Sequence, residues 1–178
     1  MRYIHKFKIM HRDLKPLNIL LSKNKHVRIT DFGLAKLEEL LTSQSKGIGT
    51  LRFMAPELFE ENNEDYNNKV DVYSFSIILI FIITNEYPPF SLKNVSIGIP
   101  PKLPKNISKW VHELIISCLS LEHENRPSFE EIFEIMKSNN FDLFSDSKNQ
   151  KLTNKQQSMK KCIESRIMKI EAFEFQHQ

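Results

Sequence analysis

The segment from Asp71 to Thr84 constrains the fold most strongly, because apolar residues occupy almost every face of it. A helix that is apolar all round is enclosed by other elements rather than laid on a surface. Its longest apolar run, Ile77 to Ile83, is far shorter than the ~20 residues that a membrane-spanning helix needs. The segment therefore predicts a central helix buried in a globular domain, and no membrane span.

Two further helices are predicted after the central one, so the 178-residue chain should form a mainly α-helical domain. Ser108 is placed to cap the first, and Ser128 with Glu131 forms a capping box at the start of the second. Their apolar residues recur at helical spacing; they are Trp110, Val111, Leu114, Ile115, Cys118 and Leu119, then Phe129, Ile132, Phe133 and Met136.

A short hairpin is predicted near the start of the chain. Residues 18–21 and 26–29 are apolar-rich runs on either side of a polar turn. Asn18 begins the first run and Asp31 follows the second. The hairpin should therefore return Asp31 to a position beside Asn18.

The polar residues around this hairpin are of the types that phosphoryl transfer needs. The string HRDLKPLN occupies residues 11–18, and DFG follows at 31–33. The reaction requires a carboxylate near the attacking hydroxyl, metal ions on the phosphates and a cation against the transition-state charge. Asp13 and Lys15 are a carboxylate and a cation. Asn18 and Asp31 offer the hard oxygen ligands that Mg²⁺ prefers.

These strings resemble the signature of eukaryotic protein kinases. Further matches follow in that family's order, through roughly residues 3–138; they are GT at 49–50, MAPE at 54–57, DVYSF at 71–75 and NRP at 125–127. The resemblance implies the mainly α-helical large, C-terminal lobe of a serine/threonine kinase, with short β-hairpins at its catalytic cleft. Lys15, two residues after Asp13, is typical of the serine/threonine type. The stretches at 52–57 and 71–75 resemble the tyrosine-kinase-like group.

The resemblance also implies catalytic roles. Asp13 is expected to accept the proton of the substrate hydroxyl, and Lys15 to contact the phosphate transferred from ATP. Asn18 and Asp31 are expected to hold Mg²⁺. ATP, Mg²⁺ and protein substrates are thus the implied ligands.

Supporting roles are implied for residues around this centre. His11 should pack beneath the DFG motif, which ends at Gly33. The activation segment follows that motif, and Arg12 should bind a phosphate carried by this segment. Candidate phosphorylation sites in that segment are Thr42, Ser43 and Ser45. Thr50 is expected to steady Asp13 and Lys15. The last three supporting residues are Asp71, which should accept hydrogen bonds from the catalytic-loop backbone, and the ion pair of Glu57 with Arg126.

The small, β-rich lobe that covers ATP in this family is expected to be absent. Ten residues precede His11, and the four glycines form no phosphate-binding loop. Activity also needs an upstream lysine–glutamate pair. We therefore expect a catalytic-lobe fragment of a serine/threonine kinase with little or no activity alone. Two alternatives remain open: a non-catalytic scaffold or decoy that binds substrates or partner kinases, and an interaction protein assembled through its tail.

The kinase-like lobe is expected at residues 1–140, and a polar linker with an amphipathic helical tail at 141–178. Apolar residues line one helical face of the tail; they are Met159, Ile163, Ile167, Ile170 and Phe173. This pattern predicts docking on the same domain, self-association or pairing with a partner kinase through residues 151–178.

Charge and cysteine content exclude other classes of function. Residues 1–150 hold 19 basic and 19 acidic residues, and residues 151–178 hold 6 and 3, so the tail accounts for the net charge of +3. Such an excess indicates a solvated face rather than a nucleic-acid or membrane surface. Cys118 and Cys162 have no disulfide-scaffold or zinc spacing, and the N-terminus resembles no secretory signal. A cytoplasmic location is expected.

Overall fold

The computed structural model describes residues 1–23, 26–31, 51–59 and 66–144. Within these ranges the α-helices are α1 (Arg2–Lys6), α2 (Lys69–Thr84), α3 (Leu92–Ser96), α4 (Lys109–Cys118) and α5 (Phe129–Ser138). Short 3-10 turns occupy Pro16–Asn18, Pro56–Phe59 and His123–Asn125. The described part of the chain is mainly helical, as the sequence predicts.

Helix α2 forms the centre of the packed core. Val72 and Ser76 are fully buried, and α2 packs against α4 and the His123–Asn125 turn. The helix begins two residues earlier than the apolar pattern alone indicated, because Asn67 Oδ1 accepts a hydrogen bond from Lys69 N at 2.9 Å. No helix in the described ranges is both long and apolar enough to cross a bilayer.

The two later helices begin in different ways. Ser128 and Glu131 form the predicted capping box: Ser128 Oγ accepts from Glu131 N at 3.2 Å, and Glu131 Oε2 accepts from Ser128 N at 2.7 Å. The latter bond is the main cause of the lowered pKa of the Glu131 carboxyl. The predicted side-chain cap of α4 is wrong, because Ser108 Oγ donates to the Asp142 carbonyl at 3.0 Å instead.

The predicted hairpin is present. Strands β1 (Ile19–Leu21) and β2 (Val27–Ile29) pair antiparallel, with Ile19 opposite Ile29. Thr30 N then donates to the Asn18 carbonyl at 2.9 Å, so the residue before Asp31 lies beside Asn18.

Core packing extends to the end of the described part of the chain. Leu143 and Phe144 are buried in the core, and Phe144 forms an isolated antiparallel bridge with Ile107. Residues 145–178, which include the predicted helical tail, lie outside the described part of the chain.

Candidate active site

Two side chains of the loop between α1 and β1 converge on the carboxylate of Asp13. Lys15 Nζ donates to Asp13 Oδ2 at 2.7 Å. Asn18 Nδ2 donates to the same oxygen at 3.0 Å and to the Asp13 carbonyl at 2.8 Å. Asp13 Oδ1 is buried and has no hydrogen-bond partner among the described residues. An unsatisfied buried acceptor costs about 1–3 kcal/mol, so the loop presents one oxygen that a further donor would satisfy.

His11 links this loop to the end of the hairpin through both ring nitrogens. The ring is fully buried, with Nε2 at 2.8 Å from the Thr30 carbonyl, and Asp13 N donates to Nδ1 at 3.3 Å. A carbonyl only accepts hydrogen bonds, so Nε2 carries the proton and Nδ1 is the acceptor. The neutral ring therefore fixes the Asp13 backbone relative to the residue before Asp31.

Asp71, in the first turn of α2, is a buried carboxylate with three donors. Oδ2 accepts from His11 N at 2.8 Å and lies 2.9 Å from His5 Nε2, while Oδ1 accepts from Arg12 N at 2.8 Å. These bonds offset the cost of burying a charge. They also hold Arg12 at a φ of 65°, a left-handed conformation that few residues other than glycine adopt. The central helix thus fixes the backbone immediately before Asp13.

Arg126 and Glu57 form a buried, bidentate ion pair. The two N–O distances are 2.5 and 2.8 Å, and Arg126 Nε also donates to the Ser120 carbonyl at 2.8 Å. The guanidinium lies 5.2 Å from the centre of the Tyr73 ring. Burial raises the pKa of Tyr73 to about 12, although the nearby Arg126 charge acts in the opposite direction. The pair joins the Pro56–Phe59 turn to the chain between α4 and α5.

Arg12 lies over an aromatic ring and forms no ion pair within the described part of the chain. Its side chain is exposed, with Cζ 5.2 Å from the centre of the Tyr66 ring. An exposed guanidinium beside the loop is chemically able to receive a phosphate.

Asn18 and Asp31 have the donor chemistry for a magnesium–nucleotide complex. Because Asn18 uses its amide nitrogen on Asp13, its Oδ1 remains as a hard oxygen ligand. The carboxylate of Asp31 is exposed, with Thr30 Oγ1 at 3.4 Å. Within the described ranges no three His, Cys, Asp or Glu residues are grouped to hold a metal. Mg²⁺ takes few protein ligands and completes its shell with phosphate oxygens and water.

Five of the site residues predicted from sequence lie outside the described residues: Gly33, Thr42, Ser43, Ser45 and Thr50. Among the others, the structure brings Asp13, Lys15 and Asn18 into contact and ties them to His11 and Asp71. The Glu57–Arg126 pair forms a separate cluster, which contacts α2 through Lys69.

Sequence reasoning missed His5. Its ring lies against Asp71 although 66 positions separate the two residues, and it packs edge-on against Phe129 with centroids 4.9 Å apart. The only available signal was that a buried Asp71 carboxylate needs hydrogen-bond donors. That requirement does not identify the residue that supplies them.

Residues 1–138 match the family described as protein kinase domain. RGS domain-containing serine/threonine-protein kinase A of Dictyostelium discoideum is 38% identical over 144 residues, covering 78% of this chain. Serine/threonine-protein kinase STY17 of Arabidopsis thaliana is 34% identical over 143 residues (76% of this chain), and mitogen-activated protein kinase kinase kinase dlk-1 of Caenorhabditis elegans is 36% identical over 154 (80%). The matched regions make up 12%, 25% and 16% of those three proteins, so this chain corresponds to a minor part of each. The chain belongs to the protein kinase domain family.

Proposed function

We propose that this chain is the large lobe of a protein serine/threonine kinase of the tyrosine-kinase-like group, which transfers the γ-phosphate of ATP to a protein hydroxyl. The observation that carries the proposal is the state of Asp13. One carboxylate oxygen is held by Lys15 and Asn18, and the other is buried without a partner in the described part of the chain. Relatives named as serine/threonine kinases support serine or threonine as the residue that receives the phosphate.

Asp13 acts as the base in this proposal. The Asp13 side chain is 12% exposed. The hydroxyl of a substrate serine or threonine passes its proton to this carboxylate as its oxygen attacks the γ-phosphorus of ATP and ADP leaves. Lys15, 2.7 Å from the other carboxylate oxygen, holds a positive charge close to the transferred phosphoryl group.

Asn18 and Asp31 would hold Mg²⁺ through their side-chain oxygens. When bound, the ion neutralises charge on the phosphates. The Asn18 amide has a second task, because its two hydrogen bonds fix both the backbone and the carboxylate of Asp13.

The lysine–glutamate pair of the small lobe is also required for phosphotransfer in this family. We propose that the 178-residue chain alone has little or no activity, and that the active protein includes a segment carrying this pair.

Nucleotide binding to the 178-residue chain tests the metal site. We expect weak binding of a fluorescent ATP analogue that requires Mg²⁺ and is lost in Asp31→Asn. Glu113→Gln, a carboxylate-to-amide change at an exposed site on α4, should leave binding unchanged. Binding that is independent of Mg²⁺, or equal in both variants, would contradict the assignment.

Phosphate transfer tests the base. The assay uses the longest protein that the gene encodes, with a protein substrate and labelled ATP. Asp13→Asn should lower the rate by several orders of magnitude, while Glu113→Gln should not change it. Full activity in Asp13→Asn would refute the mechanism, and inactivity of the unmodified long protein would favour a non-catalytic scaffold.

A further inference from the structure

Three exposed apolar side chains lie close together where the segment after α3 meets the segment after α4. Ile97 and Ile99 follow α3 and are 54% and 51% exposed, and Leu121 follows α4 and is 42% exposed. A Cβ placed on Gly98 would be 2.9 Å from Leu121 Cδ1. Because glycine has no side chain, Leu121 can lie against the backbone that joins Ile97 to Ile99. These three apolar side chains form the apolar patch.

The backbone beneath the apolar patch is held by hydrogen bonds. Gly98 N donates to the Val95 carbonyl at 3.1 Å, and Ile99 N donates to the Asn94 carbonyl at 2.8 Å. Single exposed apolar residues are normal on a protein surface, whereas adjacent ones expose continuous apolar area, which is a feature of interaction sites. A patch that is already ordered costs less entropy to bind.

The described part of the chain ends beside the start of α4. Phe144 forms its antiparallel bridge with Ile107, and Ser108 N donates to the Leu143 carbonyl at 3.0 Å. The residues that follow Phe144 therefore leave the domain next to the first residue of α4.

The exposed face of α4 leads from this point toward the apolar patch. Lys109 and Glu113 share that face, with Nζ and Oε1 3.5 Å apart, and Ile116, three positions further on, is also exposed. Ile116 lies about 10 Å along the helix from Lys109. Leu121 is at most about 17 Å beyond Ile116.

The remaining chain is long enough to reach the apolar patch. Residues 145–150 can extend about 20 Å, and a helix from residue 151 to Met159 adds about 12 Å. Met159 is the first residue of the apolar stripe in the predicted helical tail. As a helix, the stripe from Met159 to Phe173 would be about 21 Å long. A single helix of this length is marginal in water unless its apolar face is buried.

Charge neither selects nor excludes this pairing. The exposed charges that neighbour the apolar patch in sequence have both signs: Lys93 and Lys102 are basic, and Glu122 and Glu124 are acidic. Residues 151–178 hold six basic and three acidic residues. Burial of apolar surface is therefore the driving force for contact, and the contact should be insensitive to salt.

We propose that residues 151–178 dock on the apolar patch of the same chain, with the stripe from Met159 to Phe173 covering Ile97, Ile99 and Leu121. A segment tethered within reach meets the apolar patch at a high effective concentration, which favours it over a second copy of the chain. The docking surface is independent of the proposed kinase function.

A nitroxide spin label on Cys162 tests the proposal in the 178-residue chain. Cys162 precedes Ile163 of the stripe, and Cys118, the other cysteine, is fully buried. Mass spectrometry confirms that a single label is attached, and at which cysteine. A nitroxide broadens the NMR signals of amides close to it. We expect the amide signals of Ile97, Gly98 and Ile99 to be lost, at low and at high salt, and to return when ascorbate reduces the label.

Variants with matched controls identify the two surfaces in contact. Ile163→Asp places a charge on the stripe and should restore the lost signals. Ser165→Asp places the same charge two positions away, off that helical face, and should not restore them. On the apolar patch, Ile99→Asp should restore the signals of its neighbours. Val27→Asp, at an exposed aliphatic residue of β2, should have no such effect.

A mixed sample distinguishes docking within one chain from contact with a second copy. Spin-labelled chains without isotope label are combined with isotope-labelled Cys162→Ser chains, so that any signal loss arises between chains. Docking within one chain predicts no loss in this sample. Equal loss in the mixed sample would overturn the proposal in favour of self-association. Full signals in the spin-labelled chain, or losses that persist in both Ile163→Asp and Ile99→Asp, would also overturn it.

Discussion

Replacing Asp71 with Asn tests how the central helix shapes the catalytic loop. The change keeps the shape of the side chain but removes the charge and converts one oxygen into a donor. Oδ2 of Asp71 contacts two donors, His11 N and His5 Nε2, and Oδ1 contacts one, Arg12 N. The asparagine side chain keeps two of these three hydrogen bonds when its oxygen takes the Oδ2 position, and only one when its oxygen takes the Oδ1 position. Its NH₂ group then faces the Arg12 N–H.

The energetic cost follows from these contacts. One charge-assisted hydrogen bond is lost, worth about 1.5–3 kcal/mol, and two donors face each other, each unsatisfied donor costing about 1–3 kcal/mol if it stays buried. The two remaining bonds weaken because their acceptor is neutral. Removing a buried charge offsets part of this loss. We expect the free energy of unfolding to fall by about 3 kcal/mol, roughly two orders of magnitude in the folded-to-unfolded ratio.

Two measurements check the prediction. Urea unfolding, followed by fluorescence of the single tryptophan Trp110, gives the change in stability. Trp110 is a suitable probe because its Nε1 donates to the Asp142 carbonyl at 2.9 Å and is freed on unfolding. Amide hydrogen exchange gives the local effect. The Arg12 amide should lose protection, whereas the His11 amide should retain most of its protection.

The reasoning would be refuted by a loss below about 1 kcal/mol, or by unchanged protection of the Arg12 amide. Equal loss of protection at His11 and Arg12 would show that the amide does not choose the predicted orientation. Glu113→Gln, an exposed change of the same type, should alter stability by less than about 0.5 kcal/mol.

Three further predictions follow from buried or strained groups. Glu57→Gln leaves the Arg126 charge uncompensated and should lower the urea-derived free energy of unfolding by about 3–5 kcal/mol; a loss below 1 kcal/mol would contradict the burial of the pair. Gly98→Ala should cost about 1–2 kcal/mol by the same assay, because φ is +70° and the new Cβ would lie 2.9 Å from Leu121 Cδ1; a neutral effect would refute this. Burial raises the pKa of the Cys118 thiol from 9.0 to about 12. The thiol therefore loses its proton at lower pH in the unfolded chain than in the folded chain, and the free energy of unfolding should fall as pH rises above about 9. Iodoacetamide should label Cys118, identified by peptide mass spectrometry, no faster than the protein unfolds, and rapid labelling of folded protein would contradict its burial.

The sequence predicts those elements of the fold whose stabilising interactions are local or periodic. Helix α2 was predictable because its apolar residues leave no solvent-facing side, and α5 because Ser128 and Glu131 complete a capping box within four residues. Helix α3 was not predicted. It is five residues long, too short for a periodic pattern, and its start is stabilised by Ser91 Oγ, which accepts from Asn94 N at 3.4 Å.

Ser108 shows why local signals can mislead. The residue does precede α4, as predicted, but its hydroxyl bonds to Asp142, 34 positions away. Trp110 donates to the same carbonyl, so two side chains from the start of α4 fix the segment after α5. A serine before a helix has the same appearance in sequence whether it caps that helix or binds a distant carbonyl.

In the candidate site, too, the contacts within a short motif were predictable and the contacts between distant residues were not. The cluster of Asp13, Lys15 and Asn18 was predictable because its members are within six residues and match a known motif. The role of His5 was not predictable. It depends on which side chain the fold brings near the buried Asp71 carboxylate, and the sequence order does not contain that information.

The first turn of α2 connects the two halves of the proposed site. Asp71 holds the backbone of the loop before Asp13. Two residues earlier in the same turn, Lys69 Nζ donates to the Arg126 carbonyl, and the Lys69 carbonyl accepts from Arg126 Nη1 at 3.3 Å. Arg126 also binds Glu57 in the Pro56–Phe59 turn. The backbone before the proposed base and the Pro56–Phe59 turn are thus both held through the first turn of one helix. Because that helix is enclosed by the core, both are fixed by the same packing that stabilises the fold.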